Sequence, residues 1–255
     1  MYPILLHIYG PIALHSYGVC IALGVTLTSL FIFHDKRRSC ILSDNQFFSL
    51  PWIGIWGLIG GRILYVLEHP QSITSLLDIV IPWNGGLSIL GGVLGCILFL
   101  FWFTYQHNIP RTQFLDIIGT YAPIAHAFGR LGCFFAGCCC GQITAAWGIT
   151  YPPSYTWLPT LPLYPTQLYS ALLHLLTFAL LFILPRKKIL PGIIFLLYLS
   201  GTLINRFIIG FWRYDYILQP KYMLWGVGLT FNQVASLILL SVTILLASVY
   251  YLRNR

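Results

Sequence analysis

Three arginines stand inside long apolar stretches of this chain: Arg62 in Gly60-Gly61-Arg62, Arg130 in Gly129-Arg130-Leu131-Gly132, and Arg206 in Asn205-Arg206-Phe207. By insertion scales an arginine at the middle of a membrane helix costs about 2.5–3.5 kcal/mol, so such residues usually face a cavity or a partner. The whole chain holds only 6 acidic residues, with Glu68 and Asp215 the nearest candidates to pair with them. A surplus of guanidinium forks in one polar cavity suits an anionic ligand, most naturally phosphate. The competing reading is snorkelling, with each guanidinium reaching the headgroups from near a helix end; it applies to Arg62 above all. Gly60, Gly61, Gly129 and Gly132 either admit a ligand close to the backbone or serve helix packing.

Other groups carry weaker signals. Asn84-Gly85-Gly86-Leu87-Ser88 opens an apolar run, and glycines at a helix entrance can present bare N–H groups to an anion. A loose turn is an equal reading. His15 and Tyr17 open the first span, where a tyrosine is commonly an interfacial anchor. His126 shares a helical face with Arg130, four residues on, and reads as a satisfied core histidine. Cys133, Cys138, Cys139 and Cys140 put four thiols in eight residues. They could bind a metal, form a disulfide in an oxidising compartment, or simply pack as small apolar groups. The spacing lacks a CxxC pair, and three consecutive cysteines do not readily converge on one ion, so packing is the favoured reading.

The elements that must position these groups are membrane helices. The chain is 58% hydrophobic and 8% charged, against about a quarter charged in soluble domains. Apolar runs near the required 20 residues predict seven spans, near 15–33, 48–67, 86–105, 112–134, 166–184, 190–210 and 232–251. The fold class expected is an all-α integral membrane protein, a bundle of about seven transmembrane helices in one domain over 1–255. Residues 135–165, rich in cysteine, proline and aromatic side chains, form a small extracytoplasmic cap. No repeat of 20–50 residues is present, nor a clear inverted repeat of the transporter kind.

The net charge of +8 has a topological origin. Nine of the 14 basic residues fall in four short segments: Lys36, Arg37 and Arg38; Arg111; Arg186, Lys187 and Lys188; Arg253 and Arg255. These follow spans 1, 3, 5 and 7, which by the positive-inside rule puts the N-terminus outside and the C-terminus in the cytoplasm. No basic stripe lies on a soluble face, so nucleic acid is excluded as a partner. No signal-peptide pattern precedes the first span, which reads as retained.

Taken together, the motifs resemble the prolipoprotein diacylglyceryl transferases of bacterial inner membranes. Gly10-Pro11-Ile12-Ala13-Leu14-His15-Ser16-Tyr17-Gly18 looks like the family's opening, and Gly60-Gly61-Arg62-Ile63-Leu64-Tyr65-Val66 follows in the second span. Trp83-Asn84-Gly85-Gly86-Leu87-Ser88 resembles its Gly-Gly-(Leu/Met)-Ser segment. Gly129-Arg130-Leu131-Gly132-Cys133-Phe134 falls where Gly-Arg-(Ile/Leu)-Gly-Asn-Phe would be. Tyr164-Pro165-Thr166-Gln167-Leu168-Tyr169 looks like His-Pro-(Ser/Thr)-Gln-Leu-Tyr. Arg206-Phe207, Phe211-Trp212-Arg213 and Gln233 echo the last two spans.

The resemblance implies transfer of a diacylglyceryl group from phosphatidylglycerol to the lipobox cysteine of a prolipoprotein signal peptide, in the plane of the membrane lipid. It implies that Arg130 and Arg206 hold the lipid phosphate and stabilise charge on it, with Tyr17 positioning the reactants. Arg62, Asn84, Gly85, Gly86, Gln167, Arg213 and Gln233 are the implied substrate-binding neighbours. No cofactor and no metal are expected. This chain departs from the family pattern at several places: Leu90 stands for a histidine, Cys133 for asparagine, Cys138 for an acid and Gly210 for a glutamate. Tyr164 stands for another histidine and Ser170 for a second acid. A paralogue that binds lipid or signal peptide without transfer, or a small anion or lipid transporter, are the alternative readings.

Overall fold

The computed structural model describes residues 4–9, 12–72, 86, 88–145, 147–152, 160–184, 189–214, 221–224 and 227–253. Two compact units emerge, one of residues 1–34 with 115–255 and the other of 35–114.

The first unit opens with a two-stranded antiparallel hairpin, β1 (Ile4–Tyr9) and β2 (Ile12–His15). Helix α1 (Ser16–His34) follows directly. The second unit begins with two short helices, α2 (Lys36–Ile41) and α3 (Asp44–Ser49). Asp35 caps α2, its carboxylate accepting the Arg37 backbone N–H at 2.9 Å and pairing with the Arg37 guanidinium. Ser43 and Gln46 form a reciprocal capping box on α3, which satisfies two donors a helix start leaves open. Arg38, buried, ion-pairs with Asp44 and lies over the Phe47 ring.

Helices α4 (Trp52–Glu68) and α5 (Ile89–Gln106) form the body of the second unit. Their seam is made of glycine. A Cβ on Gly60 would collide with the Gly91 carbonyl oxygen, and one on Gly91 would meet both the Gly60 oxygen and Leu64 Cβ. Only glycine on both sides allows backbones to approach this far, the association device of helices in lipid.

The first unit resumes in α6 (Arg111–Phe135), whose first four residues fall in the second unit, and continues through α7 (Thr166–Ile183) and α8 (Ile193–Gly210). A second hairpin, β3 (Lys221–Leu224) and β4 (Val227–Thr230), leads into α9 (Phe231–Arg253). α8 packs on both α7 and α9.

Among the described residues, five helical stretches are long and apolar enough to cross a membrane: Ser16–His34, Asp44–Glu68, Thr166–Ile183, Ile193–Gly210 and Phe231–Arg253; Leu90–Gln106 is a shorter apolar helix. Helix α6 has the length, 25 residues, or about 37 Å. It carries Arg111, Asp116 and Arg130 along that length, which lowers its apolarity. The protein is an all-α multi-pass membrane protein, with its apolar side chains turned outward. Leu23, Leu58, Leu98, Leu180 and Leu245 are exposed, whereas Thr120, Ser170, His174, Asn205, Gln233 and Ser236 are buried. Lipid tails are as apolar as leucine, so helix association there depends on close packing and interhelical hydrogen bonds.

Those bonds are found within the first unit. Ser170 Oγ donates to Asn205 Oδ1 at 3.1 Å, and Asn205 Nδ2 returns a bond to the Ser170 carbonyl at 3.0 Å, clamping α7 to α8. Asp116 of α6 accepts from the backbone N–H groups of Gly192 and Phe195 at 2.7 and 2.9 Å. A buried carboxylate on one helix thus caps the start of another, where free N–H groups and the helix dipole favour negative charge.

Candidate active site

The site is organised by the way α6 ends. The Cys138 N–H bonds to the Cys133 carbonyl at 3.1 Å and the Gly137 N–H to the Phe134 carbonyl at 3.2 Å, with Gly137 at φ 66°. That is a Schellman ending, in which the residue after the left-handed glycine folds back over the last turn. Here the two side chains so brought together are Cys138 and Cys133. Cys139 is itself left-handed, at φ 60°, which is uncommon for a residue with a Cβ. The Sγ atoms of Cys133, Cys138 and Cys139 lie within 4.8 Å of one another. All seven cysteines of the chain are free thiols.

Main-chain carbonyls hold this loop in place. Gln167 Nε2 donates to the Cys138 oxygen at 2.8 Å, Thr166 Oγ1 to the Cys139 oxygen at 2.9 Å, and the Tyr214 N–H to the Cys140 oxygen at 3.1 Å. Gln167 also reaches the Tyr151 hydroxyl at 2.9 Å and Cys140 Sγ at 3.6 Å. It is 1% exposed, and its Oε1 is buried with no hydrogen-bond partner. Residues 141–144 then run beside the ends of α8 and of the segment before α7, with Gly141 bridged to Arg213 and Ile143 to Leu163. Cys140, Tyr151 and the fully buried Leu163 form the small core beneath.

Tyr17, 43% exposed at the start of α1, joins the same neighbourhood. A Cβ on Gly132 would stand 3.0 Å from its ring, so the glycine lets α1 and α6 close at this point. Cys133, Cys138, Cys139 and Arg130 all lie within electrostatic reach of the Tyr17 hydroxyl. Arg130 and Arg213 act on Cys139 in the same way. S–H donation from Cys133 and Cys138, aided by those two guanidiniums, holds the Cys139 thiol well below the ordinary thiol range. The shared S–H bonds and burial push Cys138 upward. Burial, and then Cys140, push the Tyr151 hydroxyl up, so it stays a neutral donor and acceptor.

One turn deeper along α6, His126 Nε2 stands 3.3 Å from the Tyr198 hydroxyl, and its ring meets that of His174 edge-on at 5.0 Å. His126 is partly exposed, unlike its buried neighbours Ile124 and Ala127, while its ring packs against those of His174 and Tyr198. His174 is buried with Nδ1 unpartnered, and Arg130 is within electrostatic reach of both rings. His174 is a residue that sequence reasoning missed. The available signal was the polar file Gln167, Ser170, His174 and Thr177 along an otherwise apolar helix, spaced to share one face.

Among the residues expected to act, Tyr17, Arg130, Gln167 and Arg213 therefore gather around the cysteine loop. Arg206 is exposed, and its Nη2 bonds to Asn232 Oδ1 at 2.9 Å. Gln233 is fully buried. Its Oε1 accepts from the Thr230 N–H at 2.9 Å and the Thr230 hydroxyl at 3.1 Å, and its Nε2 faces the Phe207 carbonyl at 3.4 Å. That fastens the start of α9 to α8. Arg62 belongs to the second unit, 8% exposed, with Nη1 bonded to the Gly86 carbonyl at 2.9 Å and the guanidinium over the Tyr65 ring. Asn84 and Gly85, like Asp215, lie outside the described residues.

The family model for prolipoprotein diacylglyceryl transferase matches residues 3–249. This chain belongs to that family. Its relatives include the phosphatidylglycerol–prolipoprotein diacylglyceryl transferase of Wolbachia pipientis wMel, 32% identical over 239 residues that cover 89% of this chain and 87% of the relative. The enzyme of that name from Neisseria gonorrhoeae is 32% identical over 240 residues, covering 83% of each chain. That of Clostridium tetani is 29% identical over 217 residues, covering 84% and 86%. In this member of the transferase family, the arginine-bearing turn of α6 and the Gln167 turn of α7 meet at the cysteine loop.

Proposed function

We propose that this protein transfers the diacylglyceryl group of phosphatidylglycerol to the lipobox cysteine of prolipoproteins; the names of its relatives give the lipid donor and the prolipoprotein acceptor. The observation that carries the reading is the gathering of Tyr17, Arg130, Gln167 and Arg213 at one end of α6, in a chain matched by the family over residues 3–249. The substrate sulfur attacks the glyceryl carbon, an S–C bond forms, and the C–O bond to phosphate breaks with its electron pair leaving on glycerol phosphate. Arg130, joined by Arg213, holds the phosphate and offsets the charge that grows on it. Arg206, exposed and bonded to Asn232, is the further anion-binding group of this reading. Tyr17 orients the thiol, which must lose its proton because the thiolate is the nucleophile. Arg62, Asn84, Gly85 and Gly86 are the further substrate-binding residues of this reading, and Gln233 fixes the helix pair that carries Arg206.

In this reading the protein sits in the bacterial inner membrane, N-terminus outside and C-terminus in the cytoplasm, because the basic segments alternate accordingly. A second reading, binding without transfer, is favoured by one observation. Leu90, which stands for the family histidine, is 61% exposed and brings no proton-handling group.

Purified protein incubated with labelled phosphatidylglycerol and a lipobox peptide separates the two. Thioether-linked diacylglyceryl peptide, absent with Arg130→Ala, is the expected product. A folded protein that binds the lipid and makes no product would leave the binding reading in its place.

A further inference from the structure

We propose that Cys133, Cys138 and Cys139 form a three-thiolate site for one soft divalent cation, zinc by ligand chemistry, with its fourth position open to a substrate thiol. The proposal's first part stands on geometry alone; the role of the fourth position rests on the transferase reading above.

The sequence argues against convergence, since neighbouring cysteines point apart along regular backbone. The fold removes that objection with two left-handed residues in three, Gly137 and Cys139. The first turns Cys138 back onto Cys133, and the second brings Cys139 round to join them, while Cys140 turns away into the core with Tyr151 and Leu163. Three Sγ atoms within 4.8 Å of each other need to close by at most about 1 Å, because Zn–S bonds of about 2.3 Å place tetrahedral sulfurs about 3.8 Å apart. The loop is anchored through its carbonyls to Gln167, Thr166 and Tyr214, and the bond a trio thiol makes to this backbone, from Cys138 Sγ to the Cys133 carbonyl, is long at 3.7 Å. Thiolate sulfur selects zinc among the common divalent ions.

Two further features suit an open, anionic centre. A divalent ion with three thiolates carries one net negative charge, and Arg130 and Arg213 stand within electrostatic reach to offset it. Cys140, the further cysteine of the run, is buried with Tyr151 and Leu163 rather than closing the fourth position, and Cys138 is exposed. Three protein ligands with an open position is the catalytic rather than the structural zinc pattern.

A substrate thiol taking the fourth position would release its proton to water and bind as thiolate. Its sulfur would then attack the glyceryl carbon as the C–O bond to phosphate breaks, and the metal would be neither oxidised nor reduced. Such a centre would supply, from sulfur and metal, the thiol activation that the missing family groups at positions 90, 133 and 138 no longer provide.

The test uses the full chain in detergent, reduced with a phosphine and stripped of metal, then titrated with cobalt(II). The expected result is one equivalent bound with thiolate-to-cobalt charge-transfer absorption, lost in Cys138→Ser and in Cys139→Ser but kept in Cys40→Ser. Size-exclusion profiles and metal-free melting curves of the variants establish that they fold. A lipobox peptide, with no lipid present, should then shift the cobalt d–d bands, and its Cys→Ser counterpart should not. Absence of the charge-transfer band in fully reduced wild type, or its survival in both variants, overturns the site; so does a Cys133–Cys138 disulfide that re-forms in preference to metal binding. Cobalt bound without a peptide-dependent shift overturns the open position alone. None of these readouts needs transfer activity, so failure of the site and failure of the transferase reading remain distinguishable.

Discussion

Gln167 Nε2 donates to the Cys138 carbonyl oxygen at 2.8 Å, joining the first turn of α7 to the loop that ends α6. Replacing Gln167 with alanine leaves the Cys138 carbonyl and the buried Tyr151 hydroxyl without this donor. A lost hydrogen bond costs about 0.5–1.5 kcal/mol, so Gln167→Ala should melt earlier in detergent. It should also label faster at Cys138 with a maleimide. A variant with unchanged melting and unchanged labelling would mean that the loop is held by other bonds.

Asp116 makes a second long-range attachment that stability measurements can read. Its two oxygens receive the Gly192 and Phe195 N–H groups, and removing the carboxylate strands both donors at the start of α8. Asp116→Ala should cost about 1–3 kcal/mol, by the cap and unsatisfied-donor magnitudes. Asp116→Asn, which keeps one acceptor, should fall between the two. Equal melting temperatures for all three proteins would refute the cap.

The glycine seam of α4 and α5 gives a steric prediction with its own control. Gly60→Val and Gly91→Val place a Cβ against opposing backbone, and overpacking of this kind costs about 1–3 kcal/mol. Both should lower the melting temperature and open the pair to proteolysis. Gly54→Val, on the same helix with nothing within 4 Å of its Cβ position, should do neither.

For Arg130, the proposed role predicts a change in rate with little change in stability. Arg130→Lys keeps the charge but loses the two-pronged fork. A drop in kcat of about 10²–10³-fold is expected by comparison with other charge-stabilising donors. Detergent melting curves should overlay. Wild-type turnover in Arg130→Lys would remove this residue from the phosphate site.

The apolar runs announced the long helices well, because a bilayer demands some 20 consecutive apolar residues and few other folds supply them. The hairpin Ile4–Tyr9 with Ile12–His15 was not legible, since a short apolar run reads equally as strand or helix. Arg130 and Gln167 could be picked out by motif, and the structure brings their surroundings together. Asp116 could not, because its partners lie 76 and 79 residues away and a lone acid near a helix start looks like any surface charge. The convergence within the cysteine cluster was not legible for a related reason. It depends on left-handed backbone at Cys139, which residue preferences argue against, and on three anchors supplied by distant segments.

The division of labour within that loop bears on how such a protein diverges. Its shape is written in main-chain atoms, through carbonyls that any residue would offer to Gln167, Thr166 and Tyr214. The side chains at 133, 138 and 139 are therefore open to replacement without redrawing the scaffold. A lineage can exchange an amide and an acid for thiols one at a time and remain folded at each step, so the chemistry of the site evolves on a frame that does not record the change.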